Sequence, residues 1–131
     1  MMNEIKLIKE AFSFLIENGC AISVEKSNIE YCVTYSKSNK QIVISYDLRL
    51  HRFDVGIRYV KGSSSYDAEY FPLLETDVGD TIQKEQLIDA LNVLYHQAET
   101  DWTISKKHFS EIVNAYAKFI KNNLSAILIY C

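Results

Sequence analysis

Between residues 2 and 18 the apolar positions recur at three- and four-residue steps. Ile5, Leu7-Ile8, Ala11-Phe12, Leu15 and Ile16 form one stripe, with Lys6, Lys9, Glu10, Ser13 and Glu17 largely opposite. That spacing predicts an amphipathic helix over 2–18. Asn18-Gly19 supplies its stop, because glycine adopts the left-handed conformation without penalty. From residue 29 the period drops to two. Ile29, Tyr31, Val33 and Tyr35 alternate with Glu30, Cys32 and Thr34. Ile42, Ile44 and Tyr46 alternate with Val43, Ser45 and Asp47, and Phe53, Val55, Ile57 and Tyr59 with Arg52, Asp54, Gly56 and Arg58. This predicts strands over 29–35, 41–47 and 51–60 in a half-buried antiparallel meander. Turns are expected at 36–40 and 47–50, and a loop at Lys61-Gly62-Ser63-Ser64-Ser65.

Residues 66–71 suit a fourth strand, with Pro72 ending it or confining it to an edge. Asp80 is a candidate helix N-cap, with Gln83 as its capping-box partner. The helix expected over 81–98 carries Leu87-Ile88, Leu91, Leu94-Tyr95 and Ala98 on one face. Another, over 105–123, carries Phe109, Ile112-Val113, Tyr116 and Phe119-Ile120. Residues 124–130 either extend that helix or fold back as an apolar tail. The predicted class is α+β: an antiparallel meander sheet of three to four strands, one N-terminal helix and two C-terminal helices, in the order α-β-β-β-(β)-α-α. No repeat or linker interrupts the chain, so 1–131 is expected to be a single domain.

The chain has 131 residues, 48% of them hydrophobic, which suits a globular core and excludes general disorder. The start lacks a basic region followed by an unbroken apolar run, so no signal peptide is expected. The late apolar run, 126–131, is far shorter than the ~20 residues of a membrane span. A cytoplasmic location follows as an expectation. Cys20, Cys32 and Cys131 have no CxxC spacing and are read as structural thiols; Cys32 suits either sheet face.

Candidate chemistry is thin. There is no phosphate-binding glycine loop, nucleophile elbow or zinc-protease motif. His51, His96 and His108 lack metal-ligand spacing. A calcium-loop frame ending at Glu85 puts Gly79 in place but sets Leu74, Thr76 and Val78 where oxygen ligands belong, so it is rejected. Ser63-Ser64-Ser65 has no evident base. Arg49, Arg52 and Arg58 lie near Tyr46 and Tyr59, but Arg52 and Arg58 share a face with Asp54 while Tyr59 points away. A solvated sheet face is preferred there over a single-strand nucleic-acid surface. The expectation is no enzyme, no cofactor and no metal.

Charge changes the picture. The net charge of −3 hides a division. Residues 1–66 carry nine bases and seven acids, and residues 105–131 carry four bases and one acid. Residues 67–104 carry nine acids against Lys84 alone, a net −8. Tyr66, Tyr70, Phe71 and Trp102 are interleaved with these acids. Two readings stand: a solvated face that keeps the protein soluble, or a docking surface for a basic protein partner. The candidate partner-binding residues are Asp67, Glu69, Tyr70, Glu75, Asp77, Asp80 and Trp102. Neither nucleic acid nor membrane is expected as a partner.

Several residues carry a family likeness: Phe14-Leu15, then Gly19 closing the helix, Val33-x-Tyr35, Ile42-x-Ile44-x-Tyr46-Asp47-x-Arg49, and Phe53-x-Val55-x-Ile57. The pattern resembles small bacterial α+β immunity proteins that sit beside polymorphic or contact-dependent toxins, and it covers residues 5–60. The resemblance implies a cytoplasmic, non-enzymatic toxin inhibitor, with a possible basic cognate toxin as partner. Members bind varied toxins through varied surfaces, so no binding residue carries over. The alternatives are a structural or regulatory subunit that buries 66–71 and the apolar C-terminus in a homo-oligomer, and an enzyme with an unrecognised site.

Overall fold

A computed structural model describes residues 3–60, 68–96 and 106–128. The elements are α1 (Glu4–Ala11), α2 (Ser13–Glu17), β1 (Ala21–Lys26), β2 (Glu30–Lys37), β3 (Lys40–Asp47), β4 (Arg52–Val60), β5 (Ala68–Pro72), a 3-10 turn at Leu73–Glu75, α3 (Thr81–His96), α4 (Lys106–Asn122) and α5 (Leu124–Leu128). The strands form one open antiparallel sheet in the order β1-β2-β3-β4-β5. This is the α+β arrangement the hydrophobic pattern predicts. β5 is the fourth strand expected around 66–71, and Pro72 ends it at a sheet edge, opposite Gly56.

Three details differ from the sequence expectation. First, β1 is an additional strand. Ile22 and Val24 do alternate with Ser23 and Glu25, but the run is short and its side chains are mostly exposed. Ser27 closes the β1–β2 turn, its Oγ accepting from Glu30 N at 3.1 Å and Ile29 N at 3.3 Å. Ile29 therefore sits in a turn, 49% exposed, rather than on the buried face. Second, the first helix breaks at Phe12, whose φ of −101° and ψ of 17° leave the helical region. A continuous helix would set Phe14 opposite the stripe of Ile5, Ile8 and Phe12. The break turns Phe14 inward and Ile16 outward, 8% and 46% exposed. Third, the C-terminal tail forms a separate short helix, α5. Buried Lys40 holds it to the sheet by donating from Nζ to Ile127 O at 2.8 Å.

Gly19 ends α2 at φ +91°, as its composition predicts. The inner sheet face packs Val33, Tyr35, Ile42, Ile44, Tyr46, Phe53, Val55 and Ile57 against α1 and α4 in one cluster. Phe109 of α4 meets Tyr46 and Phe53 edge-on, with centroids at 4.9 and 5.8 Å. Each such aliphatic or aromatic contributes ~1.5–3 kcal/mol by leaving water. The Tyr35 hydroxyl is buried with no hydrogen-bond partner among the described residues. Burial, with the nearby Cys20 thiol, pushes its pKa up to about 12. Cys20 is buried and Cys32 lies on the outer sheet face beside Glu25 and Ser45; burial raises both thiols. Among the described residues no helix is long and apolar enough to cross a membrane.

Candidate docking surface

The chain enters α3 through a tightly bonded corner. Leu73 is fully buried beneath the 3-10 turn. Thr76 Oγ1 donates to Leu73 O at 2.8 Å and holds the turn closed. Asp80 caps α3, its Oδ1 accepting from Gln83 N at 2.8 Å. The reciprocal half of the expected capping box is not made. Asn123, 7% exposed at the end of α4, takes it over. Its Oδ1 accepts from Asp80 N at 2.8 Å, and its Nδ2 donates to Gln83 Oε1 at 3.1 Å and Phe119 O at 2.8 Å. One buried amide thereby fixes the start of α3 to the end of α4.

Lys84, the only base in 67–104, is 9% exposed. Its ammonium donates to Thr76 O and, at 3.3 Å, to Thr76 Oγ1, and lies 5.7 Å from the Phe119 ring centre. Burial lowers its pKa, with Asp77 opposing. The acids behave oppositely. Glu75, Asp77, Asp80, Glu85 and Asp89 are all exposed. The segment thus displays its carboxylates and withdraws its compensating charge.

The outward ridge of α3 adds apolar surface. Ile82, Glu85, Asp89 and Val93 follow at steps of three and four, so they line one side of the helix. Ile82 is 66% and Val93 55% exposed, while Leu87 and Leu91 fill the core from the other side. Gln83, Gln86 and Ala90 border a cleft of about 370 Å³ against Lys118 and Phe119 of α4. A second cleft of about 310 Å³, more apolar, lies between β4 and the helices, lined by Phe53, Leu74, Ile88, Leu91 and Tyr116 with Arg52 at its rim.

The sequence-predicted residues divide. Glu75, Asp77 and Asp80 flank the turn into α3. Glu69 and Tyr70 sit on β5 with side chains on opposite sheet faces, beside Tyr59 and Arg58 respectively. The Tyr70 ring lies across Gly56, where any Cβ would meet it at 2.2 Å. Burial first and Asp54 next raise its hydroxyl pKa, with Arg58 opposing. Tyr70 therefore belongs to the outer sheet face and not to the α3 corner. Asp67 and Trp102 lie outside the described residues. Ile82, Glu85, Asp89 and Val93 escaped the sequence reading of the site. Their three- and four-residue spacing was available, but it only points outward once the buried face of α3 is known.

No comparable convergence of reactive groups exists among the described residues. No group of three or more His, Cys, Asp or Glu is placed to hold a metal ion there. His51 Nδ1 lies 3.1 Å from the Tyr46 hydroxyl, and His108 Nδ1 is 3.5 Å from Glu111 Oε2. On the outer sheet face Arg58 donates to Gln41 Oε1 at 3.2 Å and Gln41 to Ser36 Oγ at 3.3 Å, a cross-strand chain that ties the face together. Compared with protein-family models, with curated proteins and with solved structures, the chain matches none.

Proposed function

We propose that the protein is a binding protein that captures a basic protein partner through the acidic corner and outward ridge of α3, as an immunity-type inhibitor captures its toxin. The observation that supports this most is the burial of Lys84 while Glu75, Asp77, Asp80, Glu85 and Asp89 stay exposed. A face built only for solubility gains nothing from two large aliphatics in water, yet Ile82 and Val93 stand on the same ridge as Glu85 and Asp89. Carboxylates steer a cationic partner inward, and the aliphatics at either end of the ridge then exclude water. The resemblance of residues 5–60 to immunity proteins agrees with this use.

The test is calorimetric titration against the protein encoded beside this one in its genome. Wild type binds, and association slows as salt screens the acids. Reversing Glu75, Glu85 and Asp89 together to Lys weakens binding about a hundredfold, at roughly 1 kcal/mol per reversed residue. Asp80 is left intact because it caps α3. Unchanged affinity in the triple variant rejects the surface.

A further inference from the structure

β1 is an outer edge of the sheet, and its hydrogen-bonding phase is fixed. Ser27 N–H donates to Glu30 O at 3.0 Å, and the register continues Glu25 to Cys32, Ser23 to Thr34 and Ala21 to Ser36. Pairs that exchange both main-chain bonds alternate along an antiparallel ladder. Ala21, Ser23 and Glu25 therefore bond to β2, and Ile22, Val24 and Lys26 turn their N–H and C=O groups away from the sheet. The strand is paired residue for residue, without a bulge or proline. Its charges, Glu25 and Lys26, stand together at one end, and Ala21 to Val24 carry none. The opposite edge, β5, ends in Pro72.

We infer that β1 is a self-association edge that pairs antiparallel with β1 of a second copy, joining two sheets into one. The strand is complementary to itself. A two-fold axis through Val24 sets Val24 against Val24 and Ile22 against Lys26 on one face, and Ser23 against Glu25 on the other. Every outward N–H and C=O of both strands is then satisfied, and no like charges stand directly opposite. The Lys26 stem covers Ile22, which the isolated chain leaves 39% exposed. Exposed Ile16 and Ile29, 46% and 49%, flank the strand along the chain and add apolar surface at its two ends. α1 packs on β2 and α4, and α3 packs on α4. The α3 ridge thus lies across the helical layer from β1, and pairing leaves it free on both copies. This inference does not rest on the docking proposal.

The full chain is examined by sedimentation and backbone hydrogen exchange over a roughly hundredfold concentration range. A monomer-to-dimer transition is expected, with the amides of Ile22, Val24 and Lys26 slowing about tenfold or more while those of Ser23 and Glu25, already bonded to β2, do not change. V24P removes an outward N–H and spares every bond to β2, so it stays monomeric. If V24P folds poorly, the register is read by charge. I22K opposes Lys26 of the second copy and weakens the dimer, whereas I22E strengthens it. Monomer throughout the range overturns the inference. So does a dimer whose new protection falls on β5, equal effects of I22K and I22E, or protection of β1 by a different co-purifying protein while the chain stays single.

Discussion

The two long helices, α3 and α4, have similar lengths and divide the labour differently. α4 buries Phe109, Ile112, Val113, Tyr116, Phe119 and Ile120, and its exposed described positions are Glu111, Asn114, Lys118 and Lys121, with Asn122 at its end. α3 buries Leu87 and Leu91, yet also exposes Ile82 and Val93 among its acids. One helix is amphipathic in the ordinary sense. The other has apolar residues on both sides, which a fold alone does not require. The difference separates residues that hold the molecule together from apolar residues that the fold leaves in water.

The largest expected contrast is in stability. F109A opens the aromatic cluster with Tyr46 and Phe53 and costs ~3–5 kcal/mol in denaturant unfolding. I82A, in the first turn of α3, changes stability by less than about 0.5 kcal/mol. A large loss in I82A would show that the α3 ridge packs against something in the protein itself.

Next comes the joint between the helices. N123A strips partners from Asp80 N–H and Gln83 Oε1, and costs ~1–3 kcal/mol. Its effect is concentrated on α3, so hydrogen exchange in 80–85 accelerates more than in 109–120. D80A removes the cap alone and costs ~1 kcal/mol, whereas D80N retains most of it.

The smallest effect is a pH dependence confined to the α3 corner. The folded-state pKa of Lys84 lies below its ordinary value of 10.5. Between those two values the unfolded chain binds more protons, so Lys84 adds stability as pH rises toward 10.5. Cys20, Cys32 and Tyr35 are raised and act the other way, losing their contribution as pH rises through their folded values. The difference between wild type and K84M isolates the lysine: it shifts in favour of wild type from neutral pH toward pH 10.5. A flat difference would mean that the ammonium is not desolvated.

The meander and α4 were legible because each keeps one period long enough to be unambiguous. β1 was not, since four alternating residues after a glycine carry little signal. The break at Phe12 was hidden because Ile16 continues the helical stripe on paper. Only the competing demand to bury Phe14 ends it. Within the candidate site, Glu75, Asp77 and Asp80 could be read from charge density alone. The withdrawal of Lys84 could not, because a lysine within an acidic run normally faces water. The same limit applied to Tyr70. Adjacent residues on a strand face opposite ways, so a cluster in sequence became two separate surfaces in space.

The exposed face of α3 is proposed to meet a basic partner. The most direct measurement is the affinity of the neighbouring gene's product for wild type and for the E75K/E85K/D89K variant, with both shown to unfold alike. Equal stability and roughly a hundredfold weaker binding by the variant are expected. Equal affinity at equal stability would contradict the proposal.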